Sequence, residues 1–149
     1  MARITEWTQQ ATNELSKNGV DSARLDAEII LAHTVSHSRT WLHTHADDEL
    51  DARHEEIANA RIDLRLDFVP IAYIIGHKEF YRRRFAVTTD TLIPRPESEQ
   101  IIELLQGYVS QQSLFYQDSN KKHPRLIDIG TGSGCLGITA KLEYPELDV

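Results

Sequence analysis

Ile4, Trp7, Ala11 and Leu15 recur at three- and four-residue spacing, the interval that lines one face of a helix, and Asn18-Gly19 supplies the stop. Asp21 or Ser22 opens a second predicted helix striped by Leu25, Ile29 and Ala32, and Ser38 opens a short third around Trp41 and Leu42. A fourth is predicted over 51–68, with Ile57, Ala60, Leu64 and Phe68 on one face. Pro70 permits one more helical turn over 71–75, which Gly76 ends. Residues 1–75 therefore read as a small all-helical domain.

Beyond Gly76 the period changes from helical to alternating. Residues 78–81 and 84–88 read as the strands of a hairpin, with Phe85 and Val87 sharing a face and Arg82-Arg83 at the turn, so that 76–95 forms a connector between two domains. In Leu92-Ile93-Pro94-Arg95-Pro96-Glu97-Ser98-Glu99 the two prolines fix an extended entry, and Pro96 followed by Glu97 and Glu99 starts a helix. That helix continues through Ile101, Ile102, Leu104, Leu105 and Tyr108. The mostly polar stretch 110–123 reads as a surface loop.

The loop leads to Leu126-Ile127-Asp128-Ile129-Gly130-Thr131-Gly132-Ser133-Gly134, which reads as a buried strand running straight into a glycine loop, with a helix over 135–143 behind it. Leu147-Asp148-Val149 is the start of a second parallel strand. Glycines admit positive φ and let a ligand lie against the main chain, while a helix start offers unpaired N–H groups and a positive dipole end. An adenosine-bearing cofactor suits such a junction. The Gly130-x-Gly132-x-Gly134 spacing lacks the longer final gap of the dinucleotide fingerprint, and a structural tight turn is the alternative.

Composition narrows the partners. Sixteen Lys and Arg against 23 Asp and Glu give a net charge of −7 and a pI near 5.4, which argues against a general nucleic-acid coat or an anionic-membrane binder. Most of the excess acid lies in residues 1–75, with seven basic side chains against thirteen acidic, a balance of −6. Its plain reading is a solvated surface; a protein partner with a basic surface is the sharper one. Residues 76–95 reverse the sign, five basic against two acidic. No apolar run is long enough to span a bilayer, no signal-peptide stretch opens the chain, and the single cysteine, Cys135, suits a reducing compartment, so a cytoplasmic protein is expected. His33, His37, His43, His45 and His54 crowd one region, yet without a His-Glu-x-x-His pattern or a nearby cysteine no metal site is expected.

Five segments in order carry a resemblance. Ser22-Ala23-Arg24-Leu25-Asp26-Ala27-Glu28, Pro70-Ile71-Ala72-Tyr73-Ile74-Ile75-Gly76, Glu79-Phe80-Tyr81, Leu92-Ile93-Pro94-Arg95-Pro96-Glu97 and the Asp128-to-Gly134 loop are similar to successive signatures of the HemK (PrmC) family of protein-glutamine methyltransferases. The resemblance implies an N-terminal all-α helical bundle for substrate recognition (1–75), a β-hairpin linker (76–95), and the start of an α/β Rossmann-like class I methyltransferase domain (96–149), incomplete in this chain. It implies S-adenosylmethionine as cofactor, held by Gly130, Thr131, Gly132, Ser133 and Gly134, with Asp128 ordering the loop and Arg95 and Glu97 near the active-site mouth. It also implies methylation of a glutamine side-chain amide in a peptide chain release factor.

Departures accompany the resemblance. Arg82 stands where relatives commonly carry glycine, and Ser98 where threonine is usual. The family's ribose-binding acidic residue and its Asn-Pro-Pro-Tyr motif do not occur before Val149, so no catalytic residue is assigned and this chain is expected to be inactive alone, with an apolar strand edge inviting oligomerisation. Two other readings follow from the same residues: an adenine amino-methyltransferase of nucleic acid, which the acidic N-terminal part disfavours, and a non-catalytic module that binds a release factor.

Overall fold

The computed structural model describes residues 2–115 and 124–149, and the chain divides into two compact units, Met1–Ile75 and Gly76–Val149.

The first unit is a helical bundle of α1 (Ile4–Lys17), α2 (Ala23–Thr34), α3 (Arg39–Thr44), α4 (Ala52–Leu66) and α5 (Ile71–Ile75). α1 buries Ile4, Trp7, Ala11 and Leu15, the stripe that the spacing predicts. The Arg3 N–H donates to the Glu6 carboxylate at 3.0 Å, and Gly19 at φ +80° carries the chain out of the helix. Ser38 caps α3 by accepting from the Trp41 N–H at 3.1 Å, and Asp51 caps α4 by accepting from the Arg53 and His54 N–H groups. Ser22 does not cap α2; its hydroxyl donates instead to Asp26 at 2.9 Å.

Two faces differ from the sequence reading. α2 buries Ala23, Asp26, Ala27, Glu28, Ile30, Leu31 and Ala32, whereas Leu25 is 42% exposed. α4 turns Ala58 and Ile62 inward, while Ile57, Ala60, Leu64 and Phe68 face solvent. The cause is polar. Arg65 of α4 donates to the buried Asp26 at 2.8 Å, and the Trp7 indole N–H donates to Asn59 at 2.7 Å, so paired side chains rather than the apolar stripe choose which face of α4 packs.

Glu28 makes the second internal pairing. Its carboxylate, 4% exposed, accepts from Arg24 and Arg39, each at 3.0 Å through Nε, with His43 Nε2 at 3.7 Å. Burial pushes the Glu28 carboxyl upward, but the Arg39 and Arg24 hydrogen bonds and the nearby positive charge outweigh it and hold the group below its ordinary value. On α3, Trp41 is stacked between His37 and His45 with ring centroids 4.0 and 4.1 Å apart.

In the second unit, β1 (His77–Phe80) pairs antiparallel with β2 (Arg83–Ala86), Phe80 opposite Arg83. The turn is Tyr81-Arg82, one residue earlier than Arg82-Arg83. Both turn residues have positive φ, 47° and 61°, as a two-residue hairpin that matches strand twist requires. Phe80 and Phe85 meet edge to face at 6.2 Å inside a core with Ile102, Val109, Cys135, Ala140 and Leu147. A 3-10 turn at Pro96–Ser98 leads into α6 (Glu99–Phe115), and α7 (Cys135–Glu143) follows the glycine loop.

Two sequence expectations need correction here. α6 runs on through Phe115, because Gln111, Gln112 and Ser113 are polar without breaking a helix; the rest of the expected loop lies outside the described residues. Residues 126–129 do not form an extended strand. The Arg125–Asp148 pair is an isolated parallel bridge, with the Leu126 N–H donating to Asp148 O at 2.8 Å and the Asp148 N–H to Pro124 O at 2.9 Å. Ile127 is 72% and Ile129 90% exposed rather than buried, since a parallel strand is defined by its neighbours and among the described residues only this one bridge flanks it.

Candidate functional site

The glycine loop owes its shape to three left-handed residues and one carboxylate. Gly130, Gly132 and Gly134 have φ of 74°, 56° and 76°. The Gly134 N–H donates to Thr131 O at 2.8 Å, closing a tight turn, and Gly134 is the residue from which α7 starts. A Cβ at Gly134 would stand 2.8 Å from Ile138 Cδ1, the movable end of a half-exposed side chain, so it is the left-handed conformation that calls for glycine.

Asp128 orders this loop, as the resemblance implies. Its Oδ2 accepts from the Thr131 hydroxyl at 3.0 Å and from the Gly137 N–H at 3.1 Å, the latter an amide in the first turn of α7. One carboxylate oxygen therefore ties the incoming segment to the loop and to the helix. Gly137 is buried, and a Cβ there would come 3.1 Å from the same oxygen. Gly137 has no place in the Gly130-x-Gly132-x-Gly134 spacing, and nothing in the sequence pairs it with Asp128 nine residues earlier.

Beside the loop lies a groove lined by Leu126, Ile127, Asp128, Thr131, Gly134, Gly137, Ile138 and Val149. Gly130, Thr131 and Gly132 are exposed, and Ser133 Oγ is buried without a hydrogen-bond partner. Open backbone at Gly130 and Gly132, an orphaned hydroxyl, and the start of a helix fit a ligand with polar ends and an apolar middle. Of the five predicted loop residues, Thr131 and Gly134 line this groove, and Gly130, Gly132 and Ser133 adjoin them in the loop. Arg95 and Glu97 are both exposed at the 3-10 turn, and no contact among the described residues links them to the loop. The five histidines do not converge either: no group of three potential metal ligands occurs among the described residues.

A bundle of short helices, a hairpin, and a glycine loop that opens a helix beside a groove make this a two-part chain with its candidate site in the second part. Residues 6–76 match the family model described as the PrmC N-terminal domain. The similarity extends well past it. A release factor glutamine methyltransferase of Bacillus anthracis is 37% identical over 147 residues, 99% of this chain and 49% of the relative. One from Haemophilus influenzae is 36% identical over 143 residues, 95% of this chain and 48% of the relative. A bifunctional methyltransferase of Rickettsia bellii is 30% identical over 163 residues, 98% of this chain and 29% of the relative. The chain spans about half the length of the release factor methyltransferases it matches, and under a third of the bifunctional protein.

Proposed function

We propose that this chain serves the S-adenosylmethionine-dependent methylation of a glutamine side-chain amide in a peptide chain release factor. The observation that carries the reading is the left-handed Gly130-Thr131-Gly132-Ser133-Gly134 loop, clamped by Asp128, within a stretch shared with relatives named for that activity. In this reading residues 1–75 recognise the protein substrate, 76–95 connect, and 96–149 begin a Rossmann-like catalytic domain. No helix among the described residues is long and apolar enough to cross a membrane, and a cytoplasmic place of action accords with a soluble translation factor as substrate.

S-adenosylmethionine, when bound, supplies an electrophilic methyl group on a sulfonium. The chain's own residues bind and orient. Gly130 and Gly132 leave the backbone open to close approach, the start of α7 offers amides and a positive dipole end to a carboxylate, and Ser133 Oγ is free to donate or accept. The overall reaction forms an N–CH3 bond at the target amide, breaks the S–CH3 bond and releases one proton. Holding the amide nitrogen in line with the methyl is an orientation task, and this sequence contains no Asn-Pro-Pro-Tyr segment to perform it.

The test is transfer of labelled methyl from S-adenosylmethionine to a purified release factor by the whole protein that contains this chain. Label on glutamine, lost in Gly132→Val while the protein stays folded, supports the reading. Absence of label on any glutamine with an active cofactor preparation overturns it.

A further inference from the structure

α4 carries two separate apolar lines. The inner one, Ala58 and Ile62, belongs to the bundle core. The outer one comprises Ile57, Ala60, Leu64 and then Phe68 just past the helix end, spaced three, four and four residues apart; Ile57 is 37%, Leu64 46% and Phe68 61% exposed. At 100° per residue these positions share one side of the helix, and the exposed Glu56, Asp63 and Asp67 run along its border. Arg53 stands at the N-terminal end of the line, and the half-buried Arg61 lies along the opposite border, where it donates to the Thr34 hydroxyl.

Phe68 is held there against its local preferences. Its φ is +61°, a conformation that closes a helix best with glycine, and it is fixed by the Phe68 N–H donating to Arg65 O at 3.0 Å and the Val69 N–H to Leu64 O at 3.0 Å. Backbone stability alone favours glycine at this place, and solubility disfavours an exposed aromatic. Strain and exposure on one residue, at the end of an apolar line, mark a surface kept for contact.

We propose that the Ile57–Ala60–Leu64–Phe68 face of α4 docks the protein substrate, seating an apolar segment with a basic rim on the release factor. The proposal rests on the release-factor reading given above. Charge supports this occupant: three acids line one border against Arg53 and Arg61, and the face belongs to a unit whose balance is −6. Phe68 is the largest side chain of the line, and truncation of a large aromatic ring is among the most costly changes in a protein contact.

Binding of a purified bacterial release factor to the 149-residue chain, measured by calorimetry at physiological salt, tests this with three variants. Phe68→Gly removes the ring while suiting the backbone, so it is expected to fold at least as well as the parent by thermal melting, yet to bind about tenfold or more weakly. Leu64→Ser is expected to weaken binding in the same direction, and the Asp63→Lys, Asp67→Lys pair to weaken it and flatten its salt dependence. Unchanged binding in all three would overturn the docking face while leaving the release-factor reading intact. A parent chain that self-associates through this face, becomes monomeric in Phe68→Gly and ignores the release factor would assign the face to a second copy and overturn the proposal. The labelled-methyl assay judges the release-factor reading separately.

Discussion

Thr131 donates its hydroxyl to Asp128 Oδ2 at 3.0 Å, so the loop is tied to the residue that leads into it. Because the same oxygen also accepts from the Gly137 N–H, Asp128→Ala frees two donors at once. The expected result is a loop loosened by about 1–3 kcal/mol, seen as faster hydrogen exchange at Gly137 with little change in the helical unit.

Gly134 and Gly107 respond oppositely to alanine. Gly134→Ala meets a φ of +76°, while the half-exposed Ile138 side chain can move aside, and is expected to destabilise the second unit by about 1–2 kcal/mol. Gly107 is exposed within α6 with open space around it, so Gly107→Ala is expected to stabilise by about 0.5–1 kcal/mol. Denaturant melts of the two variants check the pair; equal effects would contradict the backbone assignment.

Arg82 occupies the second left-handed position of the hairpin turn at φ +61°. Arg82→Gly relieves a strain of about 1–2 kcal/mol and gives back part of it through a more flexible unfolded chain, so a net gain of about 0.5 kcal/mol is expected in thermal unfolding.

Asp26 and Arg65 join α2 to α4, with side chains 6% and 17% exposed. Arg65→Met leaves a buried carboxylate with only the Ser22 hydroxyl as a named donor, and a loss of about 3–5 kcal/mol is expected. The double variant Asp26→Leu, Arg65→Met should recover much of that loss, which a double-mutant cycle measures.

Glu28 gives the bundle an acid sensitivity with a definite sign. Its carboxyl is lowered below the ordinary 4.5, so the stability it confers is fully present above that value and is lost as pH falls through the lower folded value. Melting temperature followed downward from neutral pH should therefore fall less steeply below about pH 4.5 in Glu28→Gln than in the parent.

The sequence was most readable where the core is built from apolar residues alone. The α1 stripe, the Ser38 cap and the α7 bounds appear in the structure where the spacing puts them. It misled where charge enters the core. Asp26 and Glu28 read as surface residues of α2, yet each is buried against an arginine, and the Asp26–Arg65 pair turns the apolar line of α4 outward. Residues 126–129 read as a buried strand from their composition, but burial of a strand is a property of what lies on either side, which composition does not encode. At the site, positive φ at the three glycines followed from residue type, whereas the Asp128–Gly137 bond joins residues nine positions apart and needed the fold.

The placement of the two indoles has an optical consequence. Both tryptophans of the chain belong to the helical unit: Trp7 is buried with its N–H bonded to Asn59, and Trp41 is stacked between two imidazoles. Emission excited at the red edge therefore reports only on residues 1–75 and is blind to the glycine-loop unit. Trp7 should shift to longer wavelength when the bundle opens, while Trp41 should brighten as its contact quenchers depart. Two signals of different kind thus emerge from one domain, and any difference between them and the far-ultraviolet transition measures the second unit without a label.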